Sequence, residues 1–85
     1  MIKVSGRVYK TGYRHFVKQM ARVHNIQGNI RYHDKESVLI EATANHRDLQ
    51  LFIDHCKLGN ADSRVKTLKL TPLLRIPSPH FEIKN

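Results

Sequence analysis

The chain opens on a two-residue alternation, with Ile2, Val4, Gly6 and Val8 set against Lys3, Ser5 and Arg7. Side chains on a strand point to opposite faces in turn, so this pattern predicts a half-buried first strand. Lys10-Thr11-Gly12 breaks it, and from Tyr13 the period lengthens. Phe16, Met20, Val23 and Gln27 fall on one stripe, flanked by Val17, Ala21 and His24. The spacing predicts a helix ending near Asn25-Ile26, with Phe16, Met20 and Val23 in the core and Gly28 beyond it as the stop. Gly28 to His33 is β-compatible, Asp34-Lys35-Glu36 is a polar turn, and Val38 to Ala44 sets Val38, Ile40 and Ala42 on one face. Together these predict a hairpin. Asn45 is placed to cap a second helix, in which Leu49, Phe52, Ile53 and Cys56 follow helical spacing and Gly59 ends the run. Val65 to Leu70 reads as a further strand. Pro72, Pro77 and Pro79 then interrupt regular structure, and this stretch is expected to be the most mobile. Phe81-Glu82-Ile83 reads as a short fifth strand at an edge.

The order β-α-β-β-α-β predicts an α+β fold of the ferredoxin-like, split βαβ kind. Its antiparallel sheet would carry two helices on one face, with right-handed crossovers. The 85 residues suffice for a single domain, 1–85, with a modest core. No apolar run approaches the ~20 residues of a membrane span. The start Met1-Ile2-Lys3-Val4-Ser5 has no apolar leader core. Cys56 is the one cysteine, so an internal disulfide is ruled out and a reducing, cytoplasmic setting is expected. No assembly feature stands out, and a monomer is expected.

Fifteen basic residues against seven acidic ones give a net charge of +8, which favours anionic partners. The basic residues are spread along the chain without a dense run, so a generally positive surface is favoured over a dedicated nucleic-acid stripe; a small phosphorylated substrate or inorganic phosphate is expected as partner only from the turn described below. The six histidines are scattered and make no pair or Cys/His cluster with metal-ligand spacing, so no metal is expected. Cys56 lies on the apolar stripe of the second helix and is expected to be buried and inert.

The chemistry concentrates where the first strand runs into the first helix, at Tyr9-Lys10-Thr11-Gly12-Tyr13-Arg14. Amides in the first turn of a helix lack intrahelical acceptors, and the helix dipole adds positive potential there, which together make an anion cradle. Gly12 allows close backbone approach. Arg14 can clamp two oxygens with a planar, permanently charged fork, and Lys10 adds a second cation.

Gly6-Arg7-Val8 and then Gly12-Tyr13-Arg14-His15-Phe16-Val17 resemble the acylphosphatase signature. Ala21, Gly28 with Ile30, Ser37 to Ala42, Phe52, Gly59, Ala61, Val65 and Phe81 with Ile83 continue the resemblance along nearly the whole chain. It implies the same ferredoxin-like fold and the hydrolysis of carboxyl-phosphate bonds without metal or cofactor. It also implies that the amides of the turn 9–14 and Arg14 bind the phosphoryl oxygens. The family's water-positioning asparagine falls at Tyr32. Asn29 lies three residues away and faces the other side of the strand, so it is no substitute. Asn29 itself, where the family often carries an aromatic, reads as a surface change. Tyr32 is thus the second catalytic candidate beside Arg14. Losing a well-placed polar group at such a site commonly lowers the rate by about 10²–10³-fold. The turn departs too: Lys10 stands where the family has glycine, so a positive φ there would be strained. The expectation is an acylphosphatase with weakened or lost turnover. The alternative is a degenerate fold that binds phospho-anions, a protein or nucleic acid. An RNA-binding sheet of the RRM kind fits poorly, because the third strand, Val38 to Ala44, has no aromatic.

Overall fold

The computed structural model describes residues 1–75 and 78–84. Its elements are β1 (Ile2–Arg7), α1 (Tyr13–Val23), β2 (Gln27–Asp34), β3 (Ser37–Thr43), α2 (His46–Leu58), β4 (Arg64–Leu70) and β5 (Glu82–Lys84). The strands form one sheet in the order β4-β1-β3-β2-β5. The βαββαβ plan and its fifth strand are those expected from the hydrophobic pattern. The sheet is mixed rather than purely antiparallel. β1, β2, β3 and β4 pair antiparallel, but β5 returns beside β2 in parallel register, with Ile83 opposite Ile30. Pairing partner and direction depend on the path of the 71–81 connection, which periodicity does not encode. Pro77, in the stretch expected to be mobile, lies outside the described residues.

The alternation of β1 holds over its first half, where Ile2 and Val4 are buried and Lys3 and Ser5 face away; the register shifts at Ser5/Gly6, and Val8 is buried just beyond the strand. Val38 and Ile40 of β3 and Ile30 of β2 extend the same layer, and α1 and α2 close over it with Tyr13, Val17, Ala21, Phe52, Ile53 and Cys56.

Two expectations about α1 are corrected. Val23 is 65% exposed, and the buried stripe is Tyr13, Val17 and Ala21, with Phe16 and Met20 packed at its side. Val23 lies six residues beyond Val17, about 120° round the helix, and so misses the core. The helix also stops earlier than expected, at Val23, and Gly28 has no part in stopping it. Asn25 takes the left-handed conformation (φ 55°), and the Ile26 amide donates to the Ala21 carbonyl at 2.8 Å, closing the last turn. Gly28 lies inside β2 for another reason. A side chain there would collide with the Glu41 carbonyl oxygen of β3.

Asn29 is likewise corrected from surface to interior. It is buried, and its Nδ2 donates to Glu41 Oε1 at 2.9 Å across the β2–β3 ladder. Arg75, from the segment after β4, closes on the same carboxylate through Nε (3.1 Å to Oε2) and Nη2 (2.8 Å to Oε1). A polar triad thus sits on the face of the sheet that carries no helix.

Candidate functional site

The β1–α1 turn is held from three sides. Thr11 Oγ1 donates to the Val8 carbonyl at 2.9 Å, closing the turn on itself. Asn60, from the loop after α2, donates through Nδ2 to the Thr11 carbonyl at 2.7 Å. Below, the Tyr13 ring is fully buried and its hydroxyl donates to the Cys56 carbonyl of α2 at 2.8 Å. Burial raises the Tyr13 phenol well above its ordinary range and pushes the Cys56 thiol up to about 12. Both groups stay protonated near neutral pH, so beyond bracing the turn Tyr13 can offer an anion only its backbone amide.

Two residues of the turn are left-handed. Gly12 (φ 79°) adopts this freely, whereas Lys10 (φ 55°) does so at a cost of about 1 kcal/mol. The strain expected at Lys10 is therefore present. Its result is a turn that wraps the start of α1 without capping it. Gly12 supplies no side-chain cap, and no acidic residue lies in the first turn. α2 shows the ordinary arrangement: Asn45 Oδ1 accepts from the Asp48 amide at 2.9 Å, and Asp48 itself adds the acid. Among the described residues, the amides of Thr11, Gly12, Tyr13 and Arg14 meet no acceptor.

The Arg14 side chain, from the first turn of α1, reaches Tyr32 beside the turn. Its Cζ lies 4.0 Å from the centre of the Tyr32 ring, a cation–π contact that fixes the guanidinium plane. Its Nη1 is buried and has no hydrogen-bond partner among the described residues. A buried donor left unpaired costs about 1–3 kcal/mol, more for a charged group, so this atom marks a place where an acceptor belongs. Tyr32 reaches the turn from β2, and its hydroxyl accepts from the Lys10 amide at 3.1 Å. Tyr9 packs against Tyr32 with ring centres 4.9 Å apart, and Lys10 Nζ lies 5.4 Å from the Tyr9 ring. Tyr9, Lys10, Thr11, Gly12, Tyr13, Arg14 and Tyr32 are thus in one place. Asn29 is not among them, since it points to the other face with Glu41. Asn60 was missed by the sequence reading; an asparagine in a helix-to-strand loop gives no local sign that it braces a turn 49 residues away. Among the described residues no group of histidine, cysteine and carboxylates is placed to hold a metal.

The comparisons with known proteins agree with this architecture. The family model described as Acylphosphatase matches residues 1–83. An acylphosphatase of Oceanobacillus iheyensis is 32% identical over 85 residues, covering 98% of this chain and 93% of that one. An acylphosphatase of Clostridium acetobutylicum is 31% identical over 68 residues, covering 80% and 75%. The crystal structure of acylphosphatase from Bacillus subtilis superposes with a TM-score of 0.90 at 30% identity, covering 99% of this chain and 94% of that one. On sequence and fold together, the chain belongs to the acylphosphatase family.

Proposed function

We propose that the protein hydrolyses acyl phosphates, holding the phosphoryl group on the amides of the turn 9–14 and on Arg14. The observation that carries this reading is the buried, unpaired Nη1 of Arg14 beside the uncapped start of α1. Three phosphoryl oxygens would find the amides of residues 11–14 on one side and the guanidinium fork on the other. Water attacks phosphorus, the bond from phosphorus to the carboxyl oxygen breaks, and the carboxylate leaves with that electron pair. The water proton passes to phosphate or solvent. A carboxylate is a good leaving group, so positioning and charge stabilisation suffice and no general acid, metal or cofactor is required. The reading takes the protein to act as a cytoplasmic monomer on a small phosphorylated substrate. No helix among the described residues is long and apolar enough to cross a membrane.

One observation favours a second reading, a binding module for phospho-anions with little turnover. Tyr32 occupies the family's water-positioning place, and its hydroxyl already takes the Lys10 amide. The two readings separate in one experiment, the hydrolysis of an aromatic acyl phosphate by wild type, Arg14→Ala and Tyr32→Asn. Turnover by wild type that Arg14→Ala abolishes supports the enzyme. Turnover that appears only in Tyr32→Asn supports the binding module. Turnover unchanged in Arg14→Ala would sink both.

A further inference from the structure

The helix-free face of the sheet gathers cations that lie far apart in the chain. Lys3 pairs in register with Leu39 on one side and Lys69 on the other, and Arg31 pairs with Leu39 and Lys84. Lys69, Lys3, Leu39, Arg31 and Lys84 therefore lie side by side across β4-β1-β3-β2-β5. Their chain neighbours Val4, Ile30 and Ile40 are in the core, so these five share the opposite face. With strands about 4.8 Å apart, the row spans roughly 19 Å. One step along the strands Thr67, Ser5 and Ser37 line up as hydroxyls, and at the end Arg7 faces Arg64. A groove of about 520 Å³ opens there, where Lys3, Arg7, Lys35 and Lys66 outnumber the acids Asp34 and Glu36.

This arrangement is unfavourable for the sheet alone. Lys3 opposes Lys69, Arg31 opposes Lys84, and Arg7 opposes Arg64. Like charges directly opposite one another destabilise a ladder. Among the described residues the one direct ion pair is Arg75 with Glu41; none of these six cations makes such a contact, and only Lys3 towards Asp34 and Arg31 towards Glu41 feel a carboxylate at longer range. The nearby acids are otherwise placed. Glu41 is held by Arg75 and Asn29, Asp34 is bonded to the Glu36 amide and the Ser37 hydroxyl, and Glu36 lies in the hairpin. Glu82 pairs with Asn29 and so shares this face, one step along the strand from Lys84, as the row's one exposed acidic neighbour on β5.

We propose that this face docks the sugar–phosphate backbone of duplex nucleic acid. The duplex fits best because its charge is the densest, one per about 1.7 Å of axis. A single strand is ordinarily gripped by stacking its bases on aromatic rings, and among the described residues this face carries no Phe or Tyr. Tyr9 and Tyr32 lie at the turn, Tyr13, Phe52 and Phe81 are core, and Phe16 packs against the core. Docking is then sequence-independent. Four phosphate contacts make log K fall with log salt at a slope of about −3.6. The dispersal of these cations along the chain argued against nucleic acid; strand pairing brings them together.

Anisotropy of a labelled DNA duplex of about 20 base pairs over a salt series tests this. Wild type is expected to bind with a slope near −3.6, and Lys3→Gln alone should lower its magnitude by about one. Combined Lys3→Gln, Arg31→Gln, Lys69→Gln and Lys84→Gln should abolish binding without lowering Tm, since like-charge pairs are removed. Combined Lys18→Gln, Arg22→Gln, Arg47→Gln and Lys57→Gln removes equal charge from the helices and should leave binding within about twofold. Arg14→Ala should bind as wild type does, so failure of the acyl phosphate reading would leave this result standing. Equal loss in the two fourfold variants would overturn the proposal, because net charge alone would then explain binding. Equal affinity for the single strand, or equal competition by polyglutamate, would overturn it as well.

Discussion

The Arg14 guanidinium rests on the Tyr32 ring while the Tyr32 hydroxyl takes the Lys10 amide. Under the proposed function, one side chain thus both orients the clamp and occupies a donor of the cradle. Tyr32→Phe separates the two effects. It keeps the ring under Arg14 and releases the Lys10 amide, and one freed hydrogen bond is worth about 0.5–1.5 kcal/mol. Inorganic phosphate should therefore bind roughly 2–10-fold more tightly to Tyr32→Phe, as read by isothermal titration. Weaker binding would mean that the hydroxyl donates to the anion instead of competing with it. The resemblance marks Tyr32 in the sequence as a departure from the family, because it fixes the position. The same reading could not show that the phenol spans the distance from β2 to Lys10, since reach depends on the packing of Tyr9 against it.

Element by element, the hydrophobic periods placed every strand and both helices, and failures gathered where tertiary contact decides. Asn45 and Gly59 bound α2 as read, because capping chemistry is local. Gly28 was misread because a glycine after a helical stripe looks the same whether it stops the helix or lets two strands approach. Its φ of 148° and the nearness of the Glu41 carbonyl belong to β2–β3 pairing. Gly28→Ala should then cost about 3 kcal/mol, far above a helix-stop change, and should disturb β2 rather than α1. Urea unfolding gives the magnitude, and hydrogen exchange gives the place. A loss below ~1 kcal/mol would contradict this role.

At the level of the whole molecule, the two faces of the sheet divide the charge. One face is covered by helices; the other carries the basic row and the Glu41–Asn29–Arg75 triad. Asn29 hydrogen bonding, with Arg75 beside it, holds the Glu41 carboxyl below the usual carboxylate range despite its burial. A carboxylate depressed in the folded state stabilises fully above its unfolded value of about 4.3. That contribution fades as pH falls below this value. The Tm advantage of wild type over Glu41→Gln should thus be constant near neutral pH and shrink from about pH 4 downward. An advantage that grows on acidification would reverse the sign and contradict the account. Neither the triad nor the basic row was legible in sequence, since both are assembled by register between strands that are distant along the chain.

The central claim is that the start of α1, roofed by Arg14, is an anion site. Titrating inorganic phosphate into the isotope-labelled protein and following backbone amides by NMR tests it most directly. The account predicts saturable shifts concentrated at Lys10, Thr11, Gly12, Tyr13 and Arg14, absent in Arg14→Ala. Shifts confined to the helix-free face, or none at the turn at saturating phosphate, would contradict it.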